Sequence, residues 1–291
     1  MKRKKHIHIL DIVIYATLTI AALVCIVPCI NLVAVSFSGQ SAIESGRVML
    51  LPVDFTIKTY TTLFKGTSIV RSFKNSVIIT LVGVALNMIM TVLAAYPLSR
   101  SYFWGRRIFS KLTVFTMLFS GGMIPTYILV KQLGLIDTFA AIWFPGLIST
   151  YNMMVMRSFF ENIPEDLSES ARIDGCGEWR LLLKIILPLS KPVMAALVLF
   201  YGVAQWNSFM NVLMYINDAK KMNLAVFVQQ MVQSQEALKQ LQNVNPEEII
   251  EVATEGLKSA STVVMVVPML IVYPFVQKYF VKGIMLGAVK G

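Results

Sequence analysis

Residues 76–98 read SVIITLVGVALNMIMTVLAAYPL, without one charged side chain. As an α-helix these 23 residues would be roughly 35 Å long, which is enough to cross a hydrocarbon core about 30 Å thick. The stretch therefore predicts a membrane-spanning α-helix.

The composition of the whole chain agrees with residence in a membrane. Of its 291 residues, 56% are hydrophobic and 14% are charged, whereas an average soluble domain has about 25% charged residues. The formal net charge is +10 and the mean hydropathy is +0.67. A basic excess on an apolar chain favours a membrane protein with cytoplasmic Lys and Arg over a nucleic-acid-binding protein, and it excludes intrinsic disorder.

The sequence lacks the patterns that are typical of a disulfide-bonded, metal-binding or nucleotide-hydrolysing domain. Its three cysteines, Cys25, Cys29 and Cys176, form no even set and no pair of C-x-x-C units, which argues against a disulfide scaffold and a zinc site. The sequence also contains no H-E-x-x-H pattern and no G-x-x-x-x-G-K-[ST] phosphate loop. The chain itself is therefore predicted to bind no metal and no other cofactor.

Five further apolar stretches predict spanning helices, and with residues 76–98 they make six. They are residues 12–35, 112–130, 138–156, 186–206 and 260–280. The first is longer than a usual signal-peptide core and lacks a clear cleavage site, so it is predicted to be retained. Two stretches are interrupted, at Gly121, Gly122 and Pro125 and at Pro145 and Gly146. Such breaks are tolerated where neighbouring groups pair the freed backbone atoms.

The distribution of basic residues predicts the orientation. A cytoplasmic N-terminus puts sixteen of the twenty-six Lys and Arg residues on the cytoplasmic side, as the positive-inside rule favours. The prediction is an all-α membrane protein with both termini in the cytoplasm. Its parts are an N-terminus (1–11), an extracellular loop (36–75), a core domain (76–280) that contains a cytoplasmic loop (157–185) and an extracellular loop (207–259), and a cytoplasmic tail (281–291).

Two helices are predicted within the second extracellular loop. Residues 228–242, VQQMVQSQEALKQLQ, have an amphipathic pattern. A further short helix is predicted after Asn245–Pro246, because Pro at the first helical position followed by Glu247 and Glu248 suits a helix N-terminus.

The cytoplasmic loop carries the most specific local signals, within RSFFENIPEDLSESARIDGCGEWRLLLKIILPLSKP at residues 157–192. Pro164 before two acids is typical of a helix start, and Gly175 is typical of a helix end, so a helix of about ten residues is predicted between them. After the bend at residues 175–177, a second helix containing Trp179 is predicted to enter the membrane at Pro188.

The first of these helices has small side chains and charges of both signs. The small residues are Ser168, Ser170 and Ala171, and the charged ones are Glu169, Arg172 and Asp174. Small side chains permit close approach, and the charges can set the register of a partner. Two interpretations stay open from these features alone: a docking surface for a soluble protein, and an ordinary solvated connector.

The spacing of this loop resembles a known motif. Glu169-Ser170-Ala171, three residues, Gly175, nine residues and then Ile185-Ile186-Leu187-Pro188 are similar to the Glu-Ala-Ala loop of permease subunits in binding-protein-dependent ATP-binding-cassette importers. Ser170 stands where the family has its middle alanine. The segments 34–39, 119–135, 163–175, 205–209 and 273–291 resemble the carbohydrate branch, in particular the maltose-type second permease and the subgroup for complex oligosaccharides.

The resemblance implies a type I importer permease with several partners. These are a second permease that is usually a different chain, two ATPase subunits that use ATP and Mg, and an extracellular sugar-binding protein. The chain would then be a transport subunit and not an enzyme, and it would form half of a sugar pathway in the bacterial cell membrane. The loop at residues 211–258 resembles in position the loop that enters the binding protein.

The resemblance also assigns roles to individual residues. The ATPase-coupling residues would be Glu169, Ser170, Ala171, Arg172, Asp174, Gly175, Ile185, Leu187 and Pro188, and the tail contacts Gly287, Lys290 and Gly291. Neutral polar and aromatic residues near the helices are candidates for the substrate path: Asn31, Asn87, Asn152, Tyr201, Gln205, Trp206 and Asn207. The alternatives for these are hydrogen bonds between helices and anchoring at the membrane interface.

Two other functions remain as alternatives. The first is a permease of a non-carbohydrate importer branch, and the second is an autonomous membrane carrier or enzyme. The interiors of the predicted spans carry no carboxylate or lysine, which favours an uncharged substrate pathway and argues against an ion-driven carrier.

Overall fold

The computed structural model describes residues 9–119, 121–242 and 254–288, and within these ranges the regular structure is helical and contains no strand. The chain divides into two compact units. The first consists of Met1–Val70 and Val228–Val267, and the second of Arg71–Phe227 and Pro268–Gly291. The all-α class predicted from the sequence is confirmed for the described residues.

The helices follow one another in a simple order. They are α1 (Ile9–Ser36), α2 (Gln40–Glu44), α3 (Lys58–Gly66), α4 (Ile69–Ser99), α5 (Arg106–Leu118), α6 (Met123–Gln132), α7 (Ala140–Trp143), α8 (Thr150–Glu161), α9 (Glu165–Ile173), α10 (Glu178–Leu181), a π-helical turn (Leu182–Ile186), α11 (Leu187–Leu189), α12 (Lys191–Trp206), α13 (Phe209–Tyr215), a 3₁₀ turn (Ala219–Lys221), α14 (Leu224–Gln242) and α15 (Thr254–Ala288).

The described part of the first unit contains the long apolar helix α1 and a small cap that follows it. Apolar side chains along α1 are exposed, including Leu18 and Ile20, as expected for a helix that lipid covers. Beyond α1, the hydroxyl of Tyr60 donates to Ser36 Oγ at 2.9 Å, and its ring packs 4.8 Å from that of Phe37. The extracellular loop predicted at residues 36–75 therefore begins with a folded segment.

The main core of the second unit forms around α4. Its buried apolar residues come from α4, α8, α9 and the segment α10–α12: Met88, Val92, Ala95, Tyr96, Leu98, Met153, Met156, Phe160, Ala171, Leu181, Leu182, Ile186, Val193, Leu197 and Tyr201. A smaller cluster joins Ile79 to Ile142, Val212, Ile216 and Val226. The helices of the predicted cytoplasmic loop thus share one core with the predicted spans.

Three single helices in the described ranges are long and apolar enough to cross a bilayer: Leu10–Ser36, Ile69–Ser99 and Glu255–Pro274. They coincide with three of the predicted spans, 12–35, 76–98 and 260–280. Three boundaries differ by several residues: α4 begins at Ile69, and α15 begins at Thr254 and ends at Ala288. The helix predicted at 228–242 is present as α14, whereas the one predicted after Asn245–Pro246 lies outside the described residues.

The other three predicted spans are each broken. The interruptions indicated by glycine and proline within 112–130 and 138–156 are present, whereas 186–206 was expected to be a single helix and is bent. Residues 112–130 contain α5 and α6, whose axes differ by 114°, and Gly122 between them has a φ of 84°. Residues 138–156 contain α7 and α8, separated by a loop with Pro145 and Gly146. The predicted span 186–206 is bent near Ser190, where the axis of Glu178–Leu189 and the axis of α12 differ by 82°. Pro188 and Pro192 on either side lack the N–H that would continue the helical hydrogen bonds.

Candidate functional site

Helix α9 is the helix predicted in the cytoplasmic loop. It spans Glu165–Ile173, with Pro164 at its N-terminal boundary and two acids in its first turn. Gly175 has a φ of 74°, its N–H donates to Arg172 O at 3.0 Å, and Cys176 N–H donates to Ala171 O at 2.9 Å. This pair of bonds is a Schellman motif, which requires a left-handed residue at the glycine position.

Helix α9 faces the core with its small residues. Ser168 is 1% exposed and Ala171 is 6% exposed. The close contact expected at Ala171 is therefore made within the chain. The face left exposed carries Glu169 and Ser170, together with the apolar side chain of Ile173, which is 86% exposed. An exposed apolar residue beside charges at this position fits a protein interface.

A polar cluster connects the end of α9 to α10 and α4. Arg172 pairs with the Glu178 carboxylate at 3.1 Å, and its guanidinium lies 4.6 Å from the centre of the Tyr102 ring. The other carboxylate oxygen accepts hydrogen bonds from Tyr96 at 2.6 Å and Tyr102 at 2.8 Å. Partial burial opposes ionisation of Glu178, but the hydrogen bonds from both tyrosines and Arg172 outweigh it and lower the pKa of the carboxyl.

Arg100, just beyond α4, adds a second connection to α9. Its guanidinium lies 4.7 Å from the centre of the Tyr96 ring, and Nη1 donates to Ser168 Oγ at 3.4 Å. Nearby, Ser101 Oγ donates to Glu165 at 3.1 Å. Tyr96, Arg100 and Glu178 were not among the residues predicted for the site. The only signal in the sequence is the presence of tyrosine and arginine at the end of an apolar stretch.

The remaining predicted coupling residues lie around the bend. Ile185 and Leu187 are partly buried against the main core, whereas Pro188 is exposed. Asp174 is the exposed C-terminal cap of α9. Among the tail residues, Gly287 lies within the backbone range of α15, while Lys290 and Gly291 lie outside the described residues.

Two residues predicted for the substrate path, Asn87 and Gln205, form an internal network. Asn87 is 1% exposed, and its Nδ2 donates to the carbonyl oxygens of Gly146 at 2.8 Å and Leu147 at 2.9 Å. Its Oδ1 accepts from Gln205 Nε2 at 2.9 Å. The Asn87 amide therefore pairs backbone carbonyls that the break between α7 and α8 leaves free, as a bilayer interior would require.

Tyr201, which lies in α12 like Gln205, forms a second set of internal hydrogen bonds. Its hydroxyl lies 2.6 Å from Thr91 Oγ1 and accepts from Ser149 N–H at 3.2 Å. Tyr201 is 4% exposed. Gln205 and Tyr201 thus each take part in a hydrogen bond to a residue of α4, which is the alternative considered for the candidate path residues. A role of these residues in the substrate path stays a prediction.

The other residues predicted for the substrate path do not lie together. Asn152 is buried in α8, and its backbone N–H donates to Ser149 Oγ at 3.4 Å. Trp206 is 7% exposed and meets Phe73 edge to face at 6.0 Å, while Asn207 is the exposed C-terminal cap of α12. In the first unit, Asn31 Nδ2 donates to Met49 O at 2.6 Å.

Asp137 is the centre of a contact on the predicted outer side that the sequence did not reveal. It adopts a left-handed backbone with φ 64°, and its Oδ1 accepts from the N–H groups of Asn217 and Asp218 at 3.1 and 3.0 Å. Lys221 Nζ donates to Asp137 O at 2.6 Å and Oδ2 at 3.3 Å. The hydrogen bond from Asp218 N–H is the main cause that lowers the Asp137 pKa, with Lys221 and Asn217 adding to it.

A related contact joins the residues before α14, at the start of the second predicted extracellular loop (207–259), to α4. Asn75 Nδ2 donates to the carbonyl oxygens of Lys220 and Met222, both at 2.9 Å. Ser76 Oγ accepts from Leu224 N–H at 2.8 Å. The residues before α14 are therefore held by side chains of α4 as well as by Asp137.

The described residues contain no group of three or more His, Cys, Asp and Glu side chains that could hold a metal ion. Cys25, Cys29 and Cys176 are free thiols.

Comparison with known proteins agrees with this arrangement. The chain is 40% identical over 285 residues to the polygalacturonan/rhamnogalacturonan transport system permease protein YtcP of Bacillus subtilis, covering 97% of this chain and 98% of YtcP. It is 40% identical to protein LplC of the same organism, covering 91% and 90%. Among solved structures, a bacterial ABC transporter involved in the import of the acidic polysaccharide alginate has a chain with a TM-score of 0.86 and 31% identity, covering 95% of this chain and 100% of that one.

The family relationship extends over nearly the whole sequence. Residues 4–286 match the family described as binding-protein-dependent transport system inner membrane component. This match includes α9, the Schellman turn at Gly175 and the buried polar network. The chain belongs to this family of inner-membrane permease subunits of binding-protein-dependent transporters.

Proposed function

We propose that this permease subunit forms half of an import pathway for an oligosaccharide. Relatives support the cargo class, because YtcP is named for polygalacturonan and rhamnogalacturonan transport and the similar solved structure comes from an alginate importer. The observation that carries the proposal is the similarity to that importer chain, with a TM-score of 0.86 at 31% identity.

The transporter would consist of several chains. As a transport subunit and not an enzyme, this chain relies on ATP hydrolysis by a separate subunit. We propose two such ATPases, which use ATP and Mg, together with a second permease and an extracellular sugar-binding protein. A permease that depends on a binding protein fits the family description.

The proposed topology has six crossings with both termini in the cytoplasm. Three single helices and two bent pairs have the length and composition of spans. The sixth crossing would be the segment from α7 to α8, where Asn87 pairs the carbonyl oxygens of Gly146 and Leu147. A broken helix with its backbone groups paired in this way is compatible with a membrane interior.

The proposed coupling element is α9. Its exposed surface, with Glu169, Ser170 and Ile173, would dock on an ATPase, while Ser168 and Ala171 pack inward against this chain. An exposed ion pair contributes only about 0 to 1 kcal/mol, so Glu169 would set the register of docking while the apolar side chain of Ile173 adds affinity. The tail contact at Gly287, Lys290 and Gly291 remains a proposal of the same kind.

Coupling is tested in the assembled transporter with the double variant Glu169→Lys, Gly175→Val. Because Gly175 has a left-handed backbone with φ 74°, the variant should disturb both the register and the end of α9. ATP hydrolysis is expected to continue while uptake is lost. Normal uptake by the double variant would contradict the role of α9.

Cargo is tested by uptake into vesicles that contain the transporter and its binding protein. Oligogalacturonate, alginate oligosaccharide and maltodextrin of equal length are compared with a phosphate ester and a polyamine. Uptake of at least one oligosaccharide, and of neither control compound, is expected. Uptake of only the phosphate ester or the polyamine would exclude the carbohydrate assignment.

A further inference from the structure

A cavity of about 330 Å³ lies beside the end of α4, within the second unit. Its lining comes from α4, the segment that follows it and the start of α10: Leu93, Tyr96, Pro97, Arg100, Tyr102, Phe103, Glu178, Trp179 and Leu182. Its volume is in the range of ligand-binding pockets. Most of the lining side chains are apolar or aromatic, and two are charged.

Arg100 is the unusual member of the lining. Although the residue is 5% exposed, its Nε and Nη2 atoms have no hydrogen-bond partner in the described structure. Arg100 takes part in none of the four ion pairs formed by the described residues. A buried guanidinium without a counter-ion is costly, so an anion at this wall of the cavity would stabilise it.

Glu178 does not neutralise Arg100, although it lines the same cavity. One of its oxygens accepts from both Tyr96 and Tyr102, and the other pairs with Arg172. The carboxylate is therefore already committed to three donors. With two arginines and one carboxylate, the cluster keeps one positive charge in excess.

The position of the cavity indicates what kind of anion would enter it. Arg100 follows directly after α4, which ends at Ser99, so it lies at the predicted cytoplasmic surface of the membrane. Trp179 is 68% exposed and Tyr102 is 54% exposed. Exposed aromatic residues of this kind are typical of the membrane interface, and basic pockets between spanning helices on the cytoplasmic side are typical sites for acidic lipid headgroups.

We propose that this cavity binds one anionic phospholipid of the cytoplasmic leaflet. Its phosphate would lie beside Arg100, and part of an acyl chain would cover Leu93, Phe103 and Leu182. A free phosphate ion would satisfy the guanidinium but leave the apolar lining in water. A carboxylate of a partner protein would do the same unless it brought a matching apolar side chain.

The lipid would connect two elements that the coupling proposal uses. The cavity is bounded by the end of α4 and by the start of α10, which follows α9 directly. A bound lipid would thus add contacts between the coupling loop and a spanning helix. The lipid site does not depend on the identity of the cargo, and its test measures lipid binding only.

The test uses the assembled transporter in nanodiscs that contain photoreactive phosphatidylglycerol or phosphatidylcholine with identical acyl chains. After irradiation, labelled peptides are mapped by mass spectrometry. Phosphatidylglycerol is expected to label residues 93–103 and 178–182 about fivefold more than phosphatidylcholine does, the preference expected for one cation near an anionic headgroup.

Three variants separate the contributions. Leu93→Trp would fill the cavity from its 39% exposed side and should abolish the labelling by phosphatidylglycerol. Leu81→Trp is the matched control, since Leu81 lies on the same helix, is 66% exposed and does not line the cavity. Arg100→Gln should reduce the phosphatidylglycerol signal to that of phosphatidylcholine.

Several results would overturn the proposal. Equal labelling by both lipids in the unchanged protein would indicate ordinary surrounding lipid. Competition by inorganic phosphate at millimolar concentration would identify a free anion as the ligand. A cross-link from these peptides to an ATPase, with no lipid label, would show that a partner protein occupies the cavity.

Discussion

The hydroxyl of Tyr96 donates a 2.6 Å hydrogen bond to the carboxylate of Glu178, which joins the last turns of α4 to the first residue of α10. Tyr96 is 8% exposed, whereas the Glu178 side chain is 47% exposed, so the bond lies at the edge of the packed core. Because Glu178 also pairs with Arg172 in α9, a displacement of α9 would reach α4 through two polar contacts. Helix α4 also carries Asn87 and Thr91, so the same helix meets the proposed coupling loop and the buried polar network.

Replacing Tyr96 by phenylalanine should weaken this connection. A hydrogen bond to a charged group contributes roughly 1.5–3 kcal/mol, but the Glu178 side chain is 47% exposed, and solvent screening reduces the expected loss to about 1 kcal/mol. The assembled transporter should unfold at a lower temperature and take up less cargo per ATP hydrolysed. Tyr151→Phe is the control, since Tyr151 is 57% exposed.

The pH dependence of this contact has a definite sign. Because the Glu178 pKa is lowered from its ordinary value of 4.5, the ionised carboxylate stabilises the fold above that value, and the contribution is lost as the pH falls through the lowered pKa. In Tyr96→Phe the Glu178 pKa should move back toward 4.5. The difference in unfolding temperature between the two proteins should therefore be full at pH 7 and shrink below pH 4.5, and a difference independent of pH would contradict the assignment.

Much of α9 could be predicted because its signals are local. Pro164 and Gly175 mark its two ends, and the structure places both where the sequence indicates. Which way the Ala171 side chain faces could not be predicted from local signals. Whether a small residue faces the chain's own core or a partner depends on where α4 and α8 pack, which no pattern within residues 164–175 contains.

The broken spans show the same limit. Glycine and proline at Gly121, Gly122, Pro125, Pro145 and Gly146 marked the interruptions, but hydropathy alone gave continuous helices. The loop between α7 and α8 is paired by Asn87, which lies 59 residues from Gly146 in sequence, and no pattern within residues 138–156 contains that contact. Asp137 was missed for a similar reason, because its partners, Asn217, Asp218 and Lys221, lie far from it in sequence.

Gly175→Ala should destabilise the end of α9 through the backbone alone. No atom lies within 4 Å of the position where a Cβ would be, but φ is +74°. A non-glycine residue in this conformation costs about 1–2 kcal/mol. Gly177→Ala is a matched control, because it also has no neighbour within 4 Å and its φ is −72°. We expect lower uptake and a lower unfolding temperature only for Gly175→Ala, and equal effects of the two changes would refute this explanation.

Gly83→Ala should disrupt the buried network around Asn87. A Cβ at residue 83 would lie 2.7 Å from Gln205 Cδ and 2.9 Å from its Nε2. The side chain of Gln205 would have to move, and its 2.9 Å bond to Asn87 would be lost. Because the contacted atoms lie at the end of a flexible side chain, the steric cost is small, and the loss of the hydrogen bond itself costs about 0.5–1.5 kcal/mol.

The control for this change is Gly202→Ala, in α12. Its Cβ would meet only Val84 Cγ2, at 3.9 Å, which is an ordinary contact. Thermal unfolding of the two purified complexes should show a loss for Gly83→Ala and little change for Gly202→Ala. If Gly83→Ala keeps both its stability and its uptake, the Asn87–Gln205 bond has no structural importance.

Asp137→Asn and Asp137→Ala should differ in a defined order. Asn keeps an oxygen that accepts from the N–H groups of Asn217 and Asp218 and tolerates the left-handed backbone, so it loses only the pairing with Lys221. Ala loses every side-chain acceptor. Protease protection of residues 216–224 should therefore fall slightly in Asp137→Asn and strongly in Asp137→Ala.

Asp54→Ala supplies the control for this comparison, because Asp54 has a similar left-handed φ of 53° and measures the backbone cost alone. Since the Asp137 pKa is lowered from 3.8, protection by Asp137 should be complete at neutral pH and be lost as the pH falls below 3.8. Asp137→Asn has no carboxylate to titrate, so its protection should not share this loss. If Asp137→Ala stays as protected as the unchanged protein, the hydrogen bonds of Asp137 do not hold residues 216–224 in place.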